Sequence, residues 1–115
     1  MTSPERQYLL DILLEAEDAL MFVRGASFED LCTNAMLRKA VLHSLTVLGE
    51  AAGRIDASTE ADVANLPWRK MKNLRNVLVH DYEGVNLPVI WDIVTHELPT
   101  VVATLAPLFP ERSKP

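Results

Sequence analysis

Apolar residues return at three- and four-residue steps along this chain, and no segment holds the two-residue alternation of a strand. Leu9, Leu13, Ala16, Leu20 and Val23 form the first such stripe, with Asp11, Glu15, Glu17 and Asp18 between them. A helix turns about 100° per residue, so this spacing gathers the apolar side chains on one face and leaves the acids elsewhere. Ser3 and Pro4 predict an N-cap and a first helical residue, and Gly25 an end. Ser27-Phe28-Glu29-Asp30 has the spacing of a capping box and predicts a short helix to about Thr33. Asn34 then caps a longer helix in which Leu37, Val41, Leu45, Leu48, Ala52 and Ile55 keep the period. Residues 56–65 are small, polar and acidic, and read as a connection with one helical turn at most. Pro67 and Trp68 open a third strong helix through about Asp81, with Met71, Leu74, Val77 and Leu78 inward and Gly84 as its stop. Asn86 caps the last helix, with Pro88 in its first turn and an apolar face of Val89, Ile90, Ile93, Val94, Val101, Val102 and Leu105. Pro99 lacks an amide donor and is expected to kink or break it. The predicted fold is all-α: an antiparallel bundle of four or five helices in one domain over residues 1–115, with about 109–115 as a flexible tail.

Charge narrows the function. Asp and Glu outnumber Lys and Arg 16 to 11, a net charge of −5. A chain this acidic repels phosphate on average, so any nucleic-acid site must be local. The single cysteine, Cys32, excludes an internal disulfide and a thiolate-rich zinc site, and fits a reducing compartment. No stretch reads as long and apolar enough to cross a bilayer, and the N-terminal apolar run carries acids where a signal peptide has none. The expectation is a cytoplasmic protein that requires no metal or cofactor and engages no membrane.

One segment departs from the acidic average. Arg69, Lys70, Lys72 and Arg75 fall within seven residues and hold four of the 11 basic groups. By itself this is either a solvated helix face or a local phosphate-binding strip. The helix continues Arg75-Asn76-Val77-Leu78-Val79-His80-Asp81-Tyr82. Arg75 and Tyr82 are seven apart and share a face, and Asn76 and His80 stack at four. Arg75 and His80 point about 140° apart with a rise of about 7.5 Å, a gap that a long arginine side chain bridges. Near the helix C-terminus the dipole favours the imidazolium and pushes the His80 pKa upward. The bare Arg-x4-His spacing also occurs at Arg38 and His43, which lack this polar context, so His43 is read as structural or surface.

The run Arg75-Asn76-x3-His80-x-Tyr82 resembles the signature of HEPN-domain proteins, and the HepT-like branch in particular. Ser3-Pro4-Glu5-Arg6, Phe28-Glu29-Asp30, Leu48-Gly49-Glu50-Ala51-Ala52 and Pro67-Trp68-Arg69-Lys70 are similar to that branch as well, so the likeness extends over about residues 3–108. The resemblance implies an all-α homodimer that is a metal-independent endoribonuclease and the toxin of a toxin–antitoxin pair. It implies a partner, a minimal nucleotidyltransferase, that silences the toxin by attaching AMP to Tyr82.

Chemistry gives each residue a role under that expectation. RNA carries its own nucleophile, the 2′-hydroxyl, so cleavage needs a base, an acid and positive charge on the phosphorane. His80 is expected to act as general base or acid, Arg75 to hold the phosphate, and Asn76 to orient either. Arg69, Lys72 and Tyr82 are expected to contact RNA. One chain supplies one motif histidine; a two-fold dimer supplies two to a single cleft. Glu50 reads either as a support for this helix or as a plain helical carboxylate, and Trp68 as a core anchor at its start. Tyr8 reads as an edge residue, Asp81 and His96 as surface groups, and Cys32 as a small apolar filler. Two other functions compete: a non-catalytic module that binds a nucleotide or a nucleotidyltransferase partner, and a structural dimerisation bundle in which the polar run is a buried hydrogen-bond network.

Overall fold

The structure, a computed structural model, describes residues 2–80 and 84–112, without the side chains of Val77, Val79 and His80. The described residues are mostly helical and contain no strand. In order they form α1 (Ser3–Phe22), α2 (Phe28–Thr33), α3 (Ala35–Gly53), α4 (Ala57–Asp62), α5 (Trp68–His80), α6 (Leu87–Asp92) and α7 (Leu98–Leu105). A π-helical turn, Ile93–Glu97, joins α6 to α7, and a 3-10 turn, Ala106–Leu108, follows α7.

Caps set most of the boundaries. Thr2, not Ser3, caps α1, its hydroxyl accepting from the Glu5 N–H; Ser3 and Pro4 are already helical. Gly25 lies past the end of α1 with φ of +75°, the left-handed conformation that glycine adopts without strain. Ser27 and Asp30 make the reciprocal bonds of a capping box, and Asn34 accepts from Leu37 N–H to start α3. Asp56 caps α4 and Asn86 caps α6 in the same way.

The buried stripes then decide which helix meets which. α3 is central, packed between α1 and α5, and α7 lies on the other side of α1. α1 and α3 run antiparallel, since Glu15 meets Ser44 while Tyr8 meets Arg54. Leu9, Ile12, Leu13, Ala16 and Ala19 of α1 close on Val41, Leu45, Leu48 and Ala52 of α3. Trp68 anchors the start of α5: it is buried, and its indole N–H donates to the Val63 carbonyl at 2.9 Å.

Pro99 does not break the last helix. Its nitrogen cannot donate, and one widened π turn just before it absorbs the disruption, with the Leu98 N–H reaching back to the Ile93 carbonyl. The 22 residues Leu87–Leu108 thus form one helical run that by length and apolar content meets the requirement for crossing a membrane, contrary to the expectation that no stretch would. Its buried residues Ile90, Val94, Leu98, Val101 and Leu105 fall on one stripe against the core, while Asp92, His96 and Thr100 are exposed. Lipid would strand those polar groups, so the pattern is that of a core helix with one buried face. Val89, expected on that face, is instead 49% exposed.

The expected flexible tail is also corrected, at least as far as Arg112. Phe109 is only 2% exposed, and the Arg6 guanidinium lies 4.4 Å over its ring. Arg112 donates to Glu17 at 2.8 Å and to the Phe109 carbonyl at 3.0 Å, and Arg6 pairs with Glu111 at 2.6 Å. Phe109→Ala is therefore expected to lower the unfolding free energy by about 3–5 kcal/mol, read from a urea melt, where loss of a frayed residue would cost almost nothing.

Partial burial between α1 and α3 raises the Glu15 carboxyl above its usual value; the Ser44 hydroxyl opposes this, Asp18 and Asp11 add to it, and His43 counters it. The native state therefore holds this proton more tightly than the unfolded chain. Its contribution to stability falls as pH rises from the usual carboxylate value through the raised one. Glu15→Gln is expected to raise the melting temperature at pH 7 and to flatten its acid-side pH dependence.

Candidate functional site

α5 is an edge helix, and its sequence divides it into three strips. Met71, Leu74 and Leu78 are buried toward the bundle. Arg69, Asn73 and Asn76 follow at four and three residues on the outer face and are exposed. His80, four residues further, ends α5 at the register position that continues this row. Lys72 and Arg75 lie on the flank nearer α3 and α4. α3 is the principal support of α5, and among the described residues the outer row is exposed with no helix over it.

Gly49 sets the distance between the two helices. A Cβ there would stand 3.1 Å from the Arg75 backbone nitrogen and 3.3 Å from the Met71 carbonyl oxygen. A side chain there would force these atoms to give by a few tenths of an ångström, and the backbones of α3 and α5 come together beside Arg75. The Arg75 guanidinium extends over Gly53, with Nη1 3.7 Å from where a Cβ on Gly53 would lie.

The four clustered cations are not equivalent. Lys72 donates to Glu60 and to the Ile55 carbonyl at 3.1 Å, so its charge holds the α3–α4 corner. Lys70 pairs with Glu97 at 2.6 Å, which raises its pKa. Arg69 and Arg75 have no hydrogen-bond or ion-pair partner among the described residues, which leaves two uncompensated guanidinium groups beside Asn73 and Asn76. A fork of five N–H donors suits a phosphate. Lys72→Met is expected to lower the melting temperature while Arg69→Ala leaves it nearly unchanged; a thermal melt of each variant checks both.

The remaining sequence readings resolve as follows. The polar run is exposed at Arg69, Asn73, Arg75 and Asn76, so within the chain these residues form no buried hydrogen-bond network. The side chain of His80 and the whole of Asp81 and Tyr82 lie outside the described residues. Glu50 and His43 are exposed, and His96 is a surface group 3.0 Å from Asp92. Tyr8 sits at the bundle edge beneath Arg54, 5.8 Å from the ring centre. Cys32, expected as apolar filler, is exposed. Among the described residues no three His, Cys, Asp or Glu side chains are grouped to hold a metal ion.

A second feature escaped the sequence reading. Between α5 and α6 lies a groove of about 190 Å³ lined by Asn73 and Leu74 from one side and Asn86, Val89, Ile90 and Ile93 from the other. It adjoins the outer face of α5 through Lys70 and Asn73, which border both. Periodicity assigns residues to faces of single helices and is silent on gaps between two of them.

Comparison with known proteins places this geometry in context. The profile of the family described as Ribonuclease HepT-like matches residues 12–108. A Methanocaldococcus jannaschii protein named as a candidate RNase is 33% identical over 96 residues, 84% of this chain and 88% of its own. Another from Caldanaerobacter subterraneus subsp. tengcongensis is 35% identical over 94 residues, 82% of this chain and 84% of its own. A Thermococcus cleftensis protein named probable ribonuclease HepT is 32% identical over 101 residues, 88% of this chain and 92% of its own. No solved structure is significantly similar to the chain.

Proposed function

The chain belongs to the HepT-like ribonuclease family, and from that premise we propose that it is a metal-independent endoribonuclease, the toxin of a toxin–antitoxin pair. The observation that carries this is the open outer face of α5, where Arg69, Asn73 and Asn76 lead to the register position of His80 with no helix of the described residues over them. A second copy of the chain pairs with that face in a two-fold dimer and brings two His80 and two Arg75 to one cleft.

In the cleft, one His80 takes the proton of a ribose 2′-hydroxyl. The 2′-oxygen attacks the adjacent phosphorus, and the bond from phosphorus to the 5′-oxygen breaks. The other His80 protonates the leaving 5′-oxygen. The products are a 2′,3′-cyclic phosphate and a 5′-hydroxyl. Arg75 carries the negative charge that builds on the phosphorane, Asn76 orients phosphate or imidazole, and Arg69 draws the flanking backbone in, while Lys72, expected in sequence to contact RNA, holds the α3–α4 corner. A minimal nucleotidyltransferase is the antitoxin. AMP on Tyr82 would add bulk and a negative phosphate and so repel RNA.

The test is cleavage of a mixed RNA by the purified chain in excess chelator, after intact mass shows it unmodified. Fragments with cyclic-phosphate ends support the reading. An unmodified dimer that binds nucleotide or a nucleotidyltransferase but leaves RNA whole overturns it in favour of a non-catalytic binding module.

A further inference from the structure

We infer that the groove between α5 and α6 is a nucleobase pocket that selects where the RNA is cut, an inference that rests on the ribonuclease reading above. Its volume of about 190 Å³ is below the roughly 300–1,000 Å³ of sites that take drug-sized ligands and suits one flat ring system. Its walls are aliphatic: Leu74 from α5, and Val89, Ile90 and Ile93 from α6 and the π turn. A base that leaves the stack exchanges water for such walls.

The polar groups at the rim have the chemistry of base recognition. Asn86 uses its side-chain oxygen to cap α6, accepting from the Val89 N–H at 3.2 Å. Its NH2 group is left over and can only donate. Asn73 has no hydrogen-bond partner among the described residues, so its amide offers both a donor and an acceptor. A carboxamide that donates and accepts side by side pairs with the edge of a base, and a sugar or a phosphate lacks that edge. The one cation at the rim, Lys70, is already paired with Glu97, and the carboxylate Asp92 stands beside it, so the groove is not a second phosphate site. Asn73 borders the groove and the open face of α5 together, so a base seated here has its phosphate beside Arg69 and Asn76.

The experiment titrates the full chain with the four ribonucleoside 5′-monophosphates and with ribose 5-phosphate, followed by the amide NMR signals of Asn73, Asn86 and residues 89–93, and maps cleavage positions on one RNA. Base-containing ligands are expected to shift these signals, with at least about a fivefold spread in Kd among the bases and still weaker binding of ribose 5-phosphate. Val89→Trp fills the groove from a half-exposed position and is expected to abolish the shifts and to change the cut sites, with the fold retained by melting. Asn86→Asp keeps the capping oxygen but removes the NH2, and is expected to reduce base discrimination without loss of helix. Binding that ignores the base, or cut sites that Val89→Trp leaves unchanged, overturns the pocket. Base-selective binding at these signals with no cleavage of any RNA upholds the pocket and overturns the nuclease reading instead.

Discussion

His80→Ala is expected to remove detectable RNA cleavage and leave the melting temperature nearly unchanged. General acid–base catalysis contributes about 10²–10⁴-fold. In a composite cleft the substitution deletes the acid and the base together, so the loss lies at or beyond the upper end of that range. Stability is spared because His80 is the last residue of α5 and follows an exposed row, whereas the hold on the bundle comes from Met71, Leu74 and Leu78. The check is a cleavage time course in chelator beside a thermal melt of each protein. A variant that cleaves like wild type removes His80 from the chemistry. One that unfolds makes it a structural residue.

Gly49→Val is expected to damage fold and activity together. The added Cβ meets the Arg75 backbone nitrogen at 3.1 Å, the Leu74 Cβ at 3.3 Å and the Met71 carbonyl at 3.3 Å, and two of these are main-chain atoms with no rotamer to change. The methyl groups of valine worsen the overlap, so α5 must move off α3. Overpacking of this kind costs about 1–3 kcal/mol, against which replacing a mid-helix glycine returns less than about 1 kcal/mol. Because Arg75 sits at the point of closest approach, cleavage is expected to fall by more than the unfolded fraction explains. Gly53→Ala is the control. Its Cβ would meet only the Arg75 guanidinium, at an ordinary 3.7 Å, so it should be neutral or slightly stabilising. Urea melts and cleavage rates of both variants, measured together, separate the backbone clash from any general effect of filling a glycine.

The two substitutions divide the site into what acts and what holds it, and the same division separates what each level of description could reveal. Asn34, Asn86 and the Ser27–Asp30 capping box announced their helices because a cap is a contact between residues three apart. The polar run from Arg69 to Tyr82 was likewise visible, since its residues are close along one helix and its departure from the acidic average is local. The likeness to a ribonuclease family was carried by the same short segments, and the profile match over residues 12–108 bears it out.

What sequence could not supply depends on groups distant along the chain. In sequence Lys72 is one more cation of the strip; in the fold Glu60 and the Ile55 carbonyl take up its charge. Phe109 and Arg112 looked like the start of a loose tail because their partners, Arg6 and Glu17, lie about a hundred residues away. Pro99 predicts a kink or a break because a proline's local cost is plain and the compensating π turn depends on the whole packed helix. The close approach at Gly49 and the groove between α5 and α6 belong to pairs of helices and to neither alone. By itself the sequence determined the main helices, most of their buried stripes and the residues proposed to carry the chemistry, because these follow from neighbours within a turn or two. The tertiary structure decided which cations stay free, how closely α3 and α5 meet and where a groove opens, because those properties exist only once distant segments share one core.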